Sequence, residues 1–185
     1  MLEDQEIRGW IVDIVAARAD VMAVAVRQRA KFENWLKFEL ACRAIRAGAT
    51  DVLVEAPNGA NGRVDLRIAH KGDCWHIELK TSNTNWRIAG VPNRHRPITK
   101  NIASIVADAA KLSSCPGRSF VAFVLLPVPT DDNRWTEYFL RITDATGLSL
   151  SAERHCSRVH LVLPDETQCD AIVCCFEVHG SRQSL

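Results

Sequence analysis

The chain has 185 residues, 47% hydrophobic and 24% charged, the balance of a globular protein with enough length for one compact domain and its own core. That composition excludes a disordered, collagen-like or disulfide-dense small protein, and no apolar run reaches the ~18 residues a membrane-spanning helix needs. A formal net charge of +1 excludes a globally basic nucleic-acid coat but leaves local patches open.

The acidic start Met1-Leu2-Glu3-Asp4-Gln5-Glu6 lacks the basic and apolar segments of an export signal, so the seven scattered cysteines are expected to be reduced thiols of a cytoplasmic protein. Residues 4–30 carry apolar positions at helical spacing without proline, with a break near Ala19-Asp20 and Asp20 as a candidate cap. Residues 32–47 predict a second helical stretch with Phe32, Trp35, Leu36, Leu40, Ala44 and Ile45 on one stripe, ending at Gly48. Asp51–Glu55 is a strand candidate, and Pro57–Gly62 is a turn-rich loop. Residues 63–69 and 74–81 alternate polar and apolar side chains around Lys71-Gly72-Asp73, which predicts a β-hairpin.

A polar loop over 82–97 leads to a helix over 98–112, with Thr99 as candidate cap, and then to the continuous apolar run 119–126, a strand buried on both faces. Residues 136–142, 158–163 and 171–178 read as three further strands, with a short helix around 144–153. The expected fold class is α/β, a mixed sheet flanked by helices. Residues 1–185 are read as one domain, with a helical extension over 1–30, a core over about 31–127 and C-terminal strands over 134–180.

The hairpin holds the informative residues. Alternation puts Cys74, His76, Glu78 and Lys80 on one face of a strand and Trp75, Ile77 and Leu79 on the other. A turn centred on Gly72 pairs position 65 with position 79, give or take one, which brings Asp65 alongside Glu78 and Lys80. Two close carboxylates repel unless a cation joins them, and Mg²⁺ favours oxygen ligands together with substrate phosphate. A neighbouring lysine can orient a water for attack on a phosphodiester. Lysine is scarce, six residues against seventeen arginines, and Glu78-Leu79-Lys80 is the one acid-x-Lys in the chain.

No acidic residue lies between Glu78 and Asp108, whereas Arg87, Arg94, Arg96 and Lys100 do, a window suited to holding the phosphates of a polyanion. His155, Cys156, His160, Cys169, Cys174, Cys175 and His179 lack the Cys-x₂-Cys spacing of a zinc site, and buried free thiols are the better account.

The order helix with Glu39, Val64-Asp65, Glu78-Leu79-Lys80, helix, strand resembles the PD-(D/E)xK nuclease superfamily, also called restriction-endonuclease-like. The likeness covers roughly residues 30–127, and Val64 stands where many members have proline. The resemblance implies an αβββαβ core and Mg²⁺-dependent hydrolysis of DNA or, less often, RNA, with Mn²⁺ as a substitute ion. It implies that Asp65 and Glu78 bind metal, that the Leu79 carbonyl completes the site and that Lys80 assists the attacking water. For the helix acid, Glu39 is preferred over Glu33, because Trp35, Phe38, Cys42 and Ile45 surround Glu39 with apolar neighbours. Such domains often pair as homodimers. The alternative is a nuclease-like scaffold without catalysis that binds nucleic acid or a partner protein in a mobile-element or defence system, and a chance motif on an unrelated α/β fold is a third possibility.

Overall fold

Two proline-free stretches at the N-terminus fold as α1 (Glu3–Ala16) and α2 (Ala19–Gln28). The computed structural model describes residues 3–58, 62–92 and 98–178. The break between the helices falls at Ala17-Arg18, earlier than the sequence suggests. Asp20 lies inside the first turn of α2, paired to Arg18 at 3.0 Å, and caps nothing. Helix α3 (Glu33–Arg46) ends at Ala47, and Gly48 follows with φ +89°, a conformation glycine adopts without cost.

Three antiparallel strands follow: β1 (Asp51–Pro57), β2 (Arg63–His70) and β3 (Asp73–Asn83). Between β2 and β3, Lys71 and Gly72 both take positive φ, the mirror-image turn that matches the twist of a hairpin. Helix α4 (Ile98–Leu112) then carries the chain over the sheet, so that β4 (Arg118–Val128) lies parallel to β3. A parallel pair needs such a crossover.

Helices α5 (Trp135–Thr146) and α6 (Ala152–His155) precede β5 (Cys156–Val162) and β6 (Gln168–Val178). The sheet order is β1-β2-β3-β4-β6-β5. The core order α3-β1-β2-β3-α4-β4 is the αβββαβ succession expected from the sequence.

The strand expected over 136–142 is instead the body of α5. Trp135, Phe139 and Ile142 are its buried residues, spaced four and three apart as on one helical face. The short apolar window fits both periods, and packing against α4 decides between them. The helix expected around 144–153 shrinks to α6, while β5 and β6 fall where two strands were read.

Two apolar layers enclose the sheet. Leu66, Ile68, Trp75, Ile77 and Leu79 face α1, α2 and α3, as the alternation requires. Val121, Phe123, Ile172 and Phe176 face α4 and α5. Strand β4 is buried on both faces, which explains its unbroken apolar run.

Candidate active site

The hairpin ladder runs from His70↔Asp73 to Leu66↔Ile77. One step further, Asp65 faces the Glu78 region, and its Oδ2 accepts the Leu79 backbone N–H at 2.8 Å. Asp65 Oδ1 lies 2.7 Å from Lys37 Nζ, and Lys37, buried on α3, also contacts Glu55. Glu55 adopts a positive φ of 53°, an uncommon backbone for a residue with a Cβ.

Glu78 and Lys80 point toward α4, where Asp108 and Lys111 stand one turn apart. Glu78 contacts Lys111, and Lys80 Nζ lies 2.9 Å from Asp108 Oδ2. That contact is an ion pair between the Lys80 ammonium and the Asp108 carboxylate. Lys80 also donates to the Leu79 carbonyl at 3.2 Å.

Helix α3 enters the cluster through its first turn. The Phe32 N–H donates to Thr81 Oγ1 at 3.2 Å, and the Thr81 N–H donates to Glu33 Oε2 at 3.1 Å. These two bonds dock the helix start against β3, and Glu33 Oε1 reaches to 4.0 Å from Lys80 Nζ.

Charge does not balance here. Lys37, Lys80 and Lys111 meet five carboxylates: Glu33, Glu55, Asp65, Glu78 and Asp108. Burial, then the charges of Asp65 and Asp108, push the Glu78 carboxyl up to about 7, although Lys111 works against them. Asp108 is also raised, chiefly by burial. Burial acts on Asp65 in the same sense, yet Lys37 and the Leu79 N–H hold it below the usual carboxylate range. Lys80 is raised despite burial, because Asp108 favours its charged form.

The structure therefore brings Asp65, Glu78, Leu79 and Lys80 together, and it leaves Glu39 out. Glu39 is half-exposed and lies 3.8 Å from Arg18. The apolar setting expected around it is absent, since Phe38 and Ile45 are 61% and 59% exposed. The buried face of α3 is Leu36, Lys37, Leu40, Ala41 and Ala44. Glu39 sits six residues beyond Glu33, roughly 9 Å along the axis and about a third of a turn away, so the acid at the cluster is Glu33.

Arg87 and Lys100 are exposed, the latter at the start of α4, while Arg94 and Arg96 lie outside the described residues. Lys37, Asp108, Lys111 and Glu55 were missed by the sequence reading. The Glu33–Lys37 spacing of four, which places both on one helical face, was the available signal. Among the described residues, no three His, Cys, Asp or Glu side chains form a ready metal cage.

Comparison with protein-family models, with characterised proteins and with solved structures finds no match.

Proposed function

We propose that the chain is a metal-dependent nuclease of the restriction-endonuclease-like kind, acting on DNA in preference to RNA, in the cytoplasm. The observation that carries this reading is the convergence of Asp65, Glu78 and Lys80 in a cluster holding more carboxylates than lysines. The αβββαβ order around that cluster supports it as well.

The donor set suits Mg²⁺ in kind: hard carboxylate oxygens from Asp65 and Glu78 and the Leu79 carbonyl, with room in the coordination sphere for water and phosphate left to solvent and substrate. A dication would also answer the burial and the neighbouring Asp65 and Asp108 charges that lift Glu78. When bound, Mg²⁺ would supply Lewis-acid stabilisation of charge building on the phosphodiester. Lys80, kept charged by Asp108, donates hydrogen bonds, so its part is to orient the attacking water and steady the phosphate oxygens. Asp65 holds the Leu79 backbone in place, which fixes the strand end carrying Glu78 and Lys80. Arg87, Lys100, Arg94 and Arg96 are the proposed phosphate contacts, and a homodimer is the proposed assembly where two strands are cut.

The test is cleavage of plasmid, linear and branched DNA, and of RNA, with Mg²⁺ or Mn²⁺. Wild type should cut DNA, and Asp65→Ala and Lys80→Ala should each lower the rate about 100-fold or more. Equal activity in all three proteins overturns the assignment.

A second reading, a nuclease-like scaffold that binds nucleic acid without cutting it, draws on one observation. Lys80 is engaged by Asp108, and Lys111 by Glu78. It predicts DNA binding by wild type with no metal-dependent cleavage.

A further inference from the structure

Seven cysteines are free, and two of them meet at the far side of the sheet. Cys156 opens β5 and Cys174 lies on β6, directly opposite it in the antiparallel ladder. Their side chains share the face that packs toward α4 and α5, whereas Cys175, the next residue, turns to the opposite layer. The two Sγ atoms are 2.7 Å apart. Sulfur atoms in van der Waals contact stay roughly 3.6 Å apart or more, and a disulfide bond is about 2.05 Å long with the facing Cα atoms about 5.5 Å apart, a spacing that cross-strand partners supply.

We propose that Cys156 and Cys174 form a reversible disulfide, an oxidation site independent of the nuclease reading. Cys156 is partly exposed and is the thiol an oxidant reaches, while Cys174 is fully buried. The oxidant class is a peroxide. The Cys156 sulfur attacks one oxygen of hydrogen peroxide, the O–O bond breaks, and water leaves as Cys156 becomes a sulfenic acid. The Cys174 sulfur then attacks the sulfenic sulfur, and its proton departs with the hydroxyl as a second water. Two thiols lose two electrons and two protons, which the peroxide takes up.

The bond staples β5, the edge strand of the sheet, to β6 at the point where α6 hands the chain to β5. Burial and the adjoining Cys156 sulfur raise the Cys174 thiol well above its ordinary range, so Cys156 and not Cys174 is the sulfur that meets the oxidant first. That division of roles, a reachable first sulfur and a shielded resolving one, confines the reaction to the pair.

The experiment treats the full chain with hydrogen peroxide, quenches with an alkylating agent, and maps peptides without reduction. The expected result is a mass lower by two hydrogens, a Cys156–Cys174 cross-linked peptide, reversal by dithiothreitol, and slower amide exchange across β5. In Cys174→Ser, the Cys156 sulfenic acid should persist and be trapped by dimedone. The proposal is overturned if both thiols still alkylate fully after unfolding while exposed Cys42 or Cys74 has oxidised, or if the bridge joins any other pair. Mapping the wild type requires no variant, so a misfolded substitution cannot obscure the outcome.

Discussion

Two buried acid clusters sit in one sheet and are built on opposite terms. Asp170 on β6 is 1% exposed and fully supplied: it accepts the Asp131 N–H at 3.2 Å, contacts Arg158, and faces His160 Nδ1 at 3.0 Å. Arg158 is held in turn by the Asp132 carbonyl and Asn133 Oδ1. At β3 three lysines meet five carboxylates, and burial with the neighbouring charges drives Glu78 up to about 7. A satisfied buried carboxylate serves the fold. A crowded one costs stability that a proton or a bound cation restores, which makes β3 rather than β6 the candidate site.

The largest expected effect breaks the comparison at its satisfied end. Asp170→Ala leaves Arg158 and the Asp131 N–H without their acceptor and should cost about 3 kcal/mol or more, read from urea unfolding midpoints. Glu78→Gln at pH 8 should instead stabilise the metal-free protein. If both substitutions destabilise equally, the two clusters do not differ as described.

The pH dependence sharpens the same contrast. Burial raises the folded pKa of Glu78 from its ordinary value of 4.5 to about 7. Between those values the folded state holds a proton that the unfolded chain gives up, so stability falls as pH rises through that window. The loss amounts to at most about 3 kcal/mol above pH 7 and vanishes below pH 4.5, where the group is protonated in both states. Unfolding at pH 4.5, 6 and 8 should therefore show wild type losing stability relative to Glu78→Gln. Parallel curves for the two proteins would remove the crowding argument.

Legibility in the sequence followed the range of the contacts. The hairpin, its two faces and the position of Asp65 beside Glu78 could be read, because alternation and a two-residue turn are local rules. Helix α4 was read with its bounds, since Ile98, Ile102, Ile105, Ala109 and Leu112 repeat at helical spacing. The partners that set the electrostatics could not be: Lys111 reaches Glu78 across 33 positions and Asp108 reaches Lys80 across 28, through a crossover whose packing no local pattern encodes. Helix α5 failed for a related reason, since seven residues cannot choose between two periods without the layer they pack on.

The smallest effects test which end of α3 belongs to the site. Glu33 accepts the buried Thr81 N–H at 3.1 Å, so Glu33→Ala strands that donor and should cost about 1–3 kcal/mol. Glu39 faces Arg18 at 3.8 Å across a half-exposed surface, and exposed pairs of that kind contribute little, so Glu39→Ala should shift stability by no more than about 0.5 kcal/mol. The metal-dependent cleavage proposed for the chain should divide the same way, reduced by Glu33→Ala and unchanged by Glu39→Ala. The reason is positional: Glu33 stands where the helix start is bonded to the strand just past Lys80, whereas Glu39 has rotated off that face. If Glu39→Ala abolished cleavage while Glu33→Ala left it intact, the docking of α3 against β3 would no longer account for which acid serves the cluster.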